Sequence, residues 1–104
     1  MIDFSPYLEF EVLGEDETCS SNRTTIHSSK MCARATSSLK SDGTTFTFGG
    51  DVSYEGKPRG CYILIDPPYN KLNVYFNTHP DGSRAKDAKP VCISCEFPLV
   101  LIIG

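Results

Sequence analysis

The chain has 104 residues, a length for one domain, and a net charge of −3 from ten basic and thirteen acidic residues. That balance excludes a globally basic binder of nucleic acid or anionic lipid. Trp is absent, so six Phe and five Tyr supply the largest apolar side chains, and plentiful Ser and Thr point to a β-rich or mixed domain with polar loops.

The first segment, 1–17, is acidic: Asp3, Glu9, Glu11, Glu15, Asp16 and Glu17 stand there without a basic residue, a pattern that predicts a solvated face. The opening MIDFSPYLEF lacks the basic start and long apolar stretch of a secretory leader. Leu8, Phe10 and Val12 alternate with Glu9 and Glu11, which predicts a half-buried strand over 7–13. A polar loop follows, and its Asn22-Arg23-Thr24 is a sequon, making Asn22 a candidate glycosylation site. Thr25 or Ser28 would cap a helix running to about Leu39, with Met31, Cys32, Ala35 and Leu39 on one face. Ser41-Asp42-Gly43 stops it.

Residues 44–48 alternate Thr with Phe as a second strand, and 49–60 read as a loop rich in Gly and charge. Residues 60–66 are the most strand-like run. Pro67 and Pro68 then remove two ladder donors, so 66–71 are expected as a hairpin turn and 72–77 as the returning strand. Residues 78–90 read as a long polar loop with a Pro80-Asp81-Gly82 turn, and 91–97 as the last strand. The sum is an α+β domain in which one short helix packs on a small antiparallel sheet of four or five strands. Its expected organisation is the acidic segment 1–17, a cysteine-rich module over 18–97, and an apolar tail, 98–104. That tail is too short to span a bilayer. It reads as a buried strand, and a membrane becomes a partner only if the run after Phe97 continues as a membrane helix.

Asp66-Pro67-Pro68-Tyr69 resembles the catalytic motif of amino-methyltransferases acting on adenine or cytosine in nucleic acids, where the aromatic ring stacks on a flipped base. Context excludes that chemistry. Such enzymes need a glycine-rich cofactor loop between a strand and a helix, in a doubly wound sheet longer than this chain. Gly49-Gly50 has no such setting, and no basic groove is evident.

Cys19, Cys32, Cys61, Cys92 and Cys95 are many for a reduced compartment and typical of a stapled extracellular domain. Two disulfides with one thiol left over can be arranged in about fifteen ways. Zinc is the second chemistry open to them. Cys92 and Cys95 have knuckle spacing and His79 could join them, but a second knuckle is missing. The third is a redox Cys-x-x-Cys, which usually opens a helix. Here Val91, Ile93 and Phe97 alternate around the pair as in a strand. No cofactor is expected, and neither His27 nor His79 is positioned in a Ser-His-Asp constellation.

The order Pro58-Arg59-Gly60-Cys61-Tyr62, Val74-Tyr75-Phe76-Asn77-Thr78-His79, Gly82-Ser83 and Ala88-Lys89-Pro90-Val91-Cys92, preceded by Met31-Cys32-Ala33-Arg34-Ala35, resembles a small cysteine-rich domain of secreted and surface proteins of algae and other protists. The likeness spans about 18–93 and is most specific over 58–92. It implies an extracytoplasmic, disulfide-stapled module, often part of a larger protein, with no established catalytic activity or ligand. It also implies a framework in which Cys32 pairs with Cys61 and Cys19 with Cys92. The turn over 67–71 is longer than the pattern, and Cys95 lies beyond its end, as a free or intermolecular thiol.

The function this implies is a non-enzymatic structural or protein-interaction module, with other proteins of a surface or lumenal assembly as partners and no nucleic acid. Its setting would be the cell exterior, the cell surface, or a secretory or thylakoid lumen. A carbohydrate-binding module is the alternative, and a thiol redox protein using Cys92 and Cys95 comes third. Tyr62, Tyr75, Asn77, His79 and Arg84 form the candidate ligand surface. The competing role for Asn77 and Thr78 is to bond loop backbone and hold the long loop in place.

Overall fold

The computed structural model describes residues 10–19 and 24–94. Asn22, Cys95 and the apolar run after Phe97 lie outside the described residues. The strands are β1 (Phe10–Val12), β2 (Thr24–Thr25), β3 (Thr45–Val52), β4 (Gly60–Leu64), β5 (Lys71–Asn77) and β6 (Ala88–Ile93), with one helix, α1 (Ser29–Ser38), between β2 and β3. The fold is α+β: one short helix on a mixed six-stranded sheet.

The helix begins where its cap predicts. Ser28 is extended and its Oγ accepts from the Met31 N–H at 3.0 Å, satisfying one of the amides that a helix start leaves open. Cys32, Ala35 and Thr36 are buried on its inner face. That face meets β3, β4 and β5. Cys61, Ile63, Val74 and Val91 rise from the sheet into the same core as Cys32 and Ala35, and Phe46, Phe48, Leu72 and Phe76 pack around them.

Neighbouring strands follow the order β1-β6-β4-β5-β3, and β2 pairs with β6 beyond the end of β4. The expected β4–β5 hairpin is present, with Tyr62 opposite Tyr75 and Ile63 opposite Val74. Three expectations need correction. Among the described residues the sheet has six strands rather than four or five, and it is not wholly antiparallel, because β3 runs parallel to β5. Strand β3 does not end at Phe48 but continues to Val52 through a register shift between Phe48 and Gly50. The last strand is shifted toward the N-terminus: it starts at Ala88, includes Pro90 and ends at Ile93.

The parallel pair has a simple geometric origin. Strand β5 sits between β4 and β3, so the chain leaving β3 must pass over the end of β5 to reach β4. That crossing spans two interstrand spacings, roughly 10 Å, well within the reach of seven residues. Residues 53–59 make it, directly over Asn77. The N-terminal strand is part of the sheet: β1 pairs with β6, and the Leu13 N–H donates to the Pro90 carbonyl at 2.9 Å.

Two disulfides fix this arrangement. Cys32–Cys61 bolts α1 to β4 across 29 residues of sequence, and Cys19–Cys92 ties the segment before β2 to β6 across 73. These are the pairs implied by the resemblance. All four sulfurs are committed, so Cys92 is bonded to Cys19 and not to Cys95, and Cys19, Cys32, Cys61 and Cys92 are not free to ligate zinc. Such bonds belong to an oxidising environment. No described helix is long and apolar enough to cross a membrane.

Candidate functional site

Side chains along a strand alternate between faces. Cys61 and Ile63 point to the helix, so Tyr62, Leu64 and Asp66 face the other way, as Tyr75 does on β5. A groove of about 370 Å³ lies on this face, within the size range of ligand pockets. Tyr54, Tyr62 and Tyr75 supply its aromatic surface, Val52 and Leu64 its aliphatic part, and Lys57, Asp66 and Asp87 its charges.

The crossing loop carries Tyr54 and Lys57 to the groove, and Asn77 holds that loop. The Asn77 Nδ2 donates to the carbonyls of Tyr54, Lys57 and Pro58 at 2.8, 3.0 and 3.1 Å. Its Oδ1 accepts from the Tyr54 N–H at 2.8 Å and from the His79 N–H at 3.3 Å. The loop over 78–87 closes on the same segment from outside: the Ser83 N–H donates to the Lys57 carbonyl at 2.9 Å and the Ser83 Oγ to the Glu55 carbonyl at 3.0 Å.

Tyr62 and Tyr75 form a direct cross-strand pair, with ring centroids 5.9 Å apart and planes tilted by 42°. Gly49, in the irregular part of β3, makes room for this pair, because a methyl group there would overlap the Tyr75 ring. Tyr62 is 1% exposed, and its hydroxyl has no hydrogen-bond partner among the described residues. Burial, followed by Tyr54, Tyr75 and Asp87 nearby, pushes that phenol from 10.0 up to about 12. It is therefore a neutral hydroxyl at physiological pH. Lys57 Nζ donates to both Asp87 oxygens, at 2.6 and 2.8 Å. Asp66 is exposed and has no partner among the described residues. The groove thus has one carboxylate more than its single ammonium can neutralise.

The ligand surface read from sequence divides on this geometry. Tyr62 and Tyr75 come together in the groove. Asn77 takes the competing role of loop anchor rather than ligand surface: it is fully buried and its carboxamide is spent on the backbone of the crossing loop. Thr78 Oγ1 donates to the Val52 carbonyl at 3.2 Å, another loop anchor. His79 is also used locally, its Nδ1 accepting from the Asp81 N–H at 3.0 Å. Arg84 lies away from the groove, 3.9 Å from Asp16. Tyr54, Lys57 and Asp87 were not singled out in sequence, and Asp66 was named only in the Asp66–Tyr69 motif whose catalytic reading the context excludes. The alternation Tyr62-x-Leu64-x-Asp66 is the one local signal that could have found Asp66; the others arrive through loop packing.

No group of three His, Cys, Asp or Glu side chains that could hold a metal ion occurs among the described residues. In comparisons with known proteins, no protein-family model, curated protein or solved structure matches the chain.

Proposed function

We infer that the chain is a non-enzymatic, disulfide-stapled module of an extracytoplasmic compartment, which holds a partner protein on the sheet face turned away from α1. The observation that carries this reading is the groove built on that face. Its walls come from β3, β4, β5 and three loops, and hydrogen bonds from Asn77 and two disulfides hold those elements in place. A groove pre-organised in this way lowers the ordering cost of binding. The resemblance of residues 58–92 to modules of secreted and surface proteins supports the compartment, and the disulfides agree with it.

Surface or extracellular material from the source cells tests the reading. Immobilised wild-type chain and a Ser37→Ala control on the exposed side of α1 should retain the same partner, and Tyr54→Ser should lose it. Equal retention by Tyr54→Ser, or recovery of the native chain from the cytosol with all its thiols reactive, would overturn the reading.

Carbohydrate binding is the second reading. It is favoured by Tyr54, which is 53% exposed at the groove and offers a ring to a sugar face. Glycan-array binding that Tyr75→Ala abolishes would establish it, and an array without signal would remove it.

A further inference from the structure

This inference rests on the reading of the groove as the binding face and names the chemistry it receives. The groove offers aromatic faces, two carboxylates and three phenolic hydroxyls, and no uncommitted cation among the described residues. Its one ammonium, Lys57, is already bound to both oxygens of Asp87. What remains is the Asp66 carboxylate, the rings of Tyr54 and Tyr75, and the Tyr62 hydroxyl. Tyr62 is 1% exposed and lacks a hydrogen-bond partner among the described residues. No buried side-chain nitrogen or oxygen among the described residues lacks a partner, so the Tyr62 oxygen opens onto the groove, where a ligand can bond to it.

Two classes of ligand compete for such a groove. A sugar ring stacks best on a flat, open aromatic platform. Tyr62 and Tyr75 do not form one, since their rings are inclined by 42° and Tyr62 shows almost no surface. An organic cation needs the opposite arrangement: inclined aromatic rings around a small volume, an unneutralised carboxylate and an acceptor oxygen. The ends of β4 and β6 supply the carboxylates close together, because the Ile65 N–H donates to the Asp87 carbonyl at 2.7 Å and Asp66 is the next residue. Lys57 already shows that this site accepts an ammonium, and Asp66 leaves charge for a second.

We propose that the groove receives the lysine or arginine side chain of a protein partner, with the Asp66 carboxylate and the Tyr62 oxygen accepting from its ammonium or guanidinium group and the Tyr54 and Tyr75 rings packing along it. The apolar stem of the incoming side chain lies on Val52 and Leu64, as long basic side chains commonly cover apolar surface.

The test is titration of the full, oxidised chain by amide NMR with three blocked amino acids: N-acetyl-lysine methylamide, N-acetyl-arginine methylamide and the uncharged N-acetyl-norleucine methylamide. A set of methyl glycosides is titrated in parallel. The cationic probes should shift the amides of Tyr54, Tyr62, Leu64 and Asp66 saturably, less so as salt is raised, while norleucine leaves them in place. Asp66→Asn, at an exposed position without a structural partner, should weaken cation binding about threefold. Tyr62→Phe, which removes only the hydroxyl, should do the same. Norleucine shifts as large as those of lysine, or no saturable shift with either cation, would overturn the proposal. Shifts with methyl glycosides alone would overturn it while leaving the groove as the binding face. Partner retention that Tyr54→Ser leaves unchanged would instead overturn the face itself.

Discussion

The carboxamide of Asn77 grips the backbone of Tyr54 from both sides: the Tyr54 N–H donates to Oδ1 and the Tyr54 carbonyl accepts from Nδ2, each at 2.8 Å. One buried side chain thereby replaces the ladder that the crossing loop cannot form with β5, and it sets the position of Tyr54 over the groove. Asn77→Asp puts an acceptor where three carbonyls need a donor. Expected destabilisation is about 3 kcal/mol or more, since several buried polar groups lose their partners. Urea unfolding measures it, and a change below about 0.5 kcal/mol would show that the loop is held by other means.

The disulfides differ in the length of chain they close. Loops of 29 and 73 residues correspond to roughly 3.5 and 4.5 kcal/mol of unfolded-state constraint in the chain-entropy account. A domain of this size has a total stability of only about 5–15 kcal/mol. Cys32→Ser is therefore expected to unfold the domain at physiological temperature, the more so because it opens the core between α1 and β4. Cys95→Ser should leave stability unchanged. Circular dichroism melts of both variants check the pair of outcomes, and a folded, monomeric Cys32→Ser chain would contradict them.

Tyr62 gives the domain a specific alkaline sensitivity. Its phenol ionises near 10.0 when exposed and only near about 12 in the folded chain. Between those values the unfolded state releases a proton that the folded state keeps, so stability falls as pH rises through the window. The loss grows across that window, moderated by solvent screening where the hydroxyl opens onto the groove. Below pH 10 both states are protonated, and this group adds no pH dependence. Tyr62→Phe should remove that part of the alkaline decline. Phenolate absorbance of the wild-type chain should keep a component that Tyr62→Phe removes, ionising well above pH 10, and spectra identical with and without Tyr62 above pH 10 would contradict its burial.

Gly49 is needed for what lies over it. A side chain there meets the ring of Tyr75, so Gly49→Val must displace the ring or strain β3. The expected cost is about 1–3 kcal/mol, with altered amide signals at Tyr62 and Tyr75. Unchanged spectra and stability would show that Tyr75 moves aside freely.

How much of this was legible in the sequence follows from the range of the interactions involved. The helix was readable because Ser28 and the Met31, Cys32, Ala35 spacing are local signals. The β4–β5 hairpin was readable because the prolines interrupt two strongly strand-like runs. The parallel β3–β5 pair was not, because nothing near Thr45 or Lys71 tells that β5 inserts between β3 and β4. Gly49-Gly50 looked like a breaker and instead accommodates a shift in register. Pro90 looked like loop and lies within β6, where its carbonyl still accepts from Leu13. At the site, Tyr62 and Tyr75 could be named as aromatic candidates. Their partners Lys57, Asp66 and Asp87 come from three separate loops, and only the packing of those loops joins them.

The disulfide framework supports every part of this account, so linkage mapping tests it most directly. The natively produced chain is alkylated, digested without reduction and analysed by mass spectrometry. The account predicts two cross-linked peptide pairs, Cys32 with Cys61 and Cys19 with Cys92. Five alkylated cysteines, or a Cys92–Cys95 bridge, would contradict it.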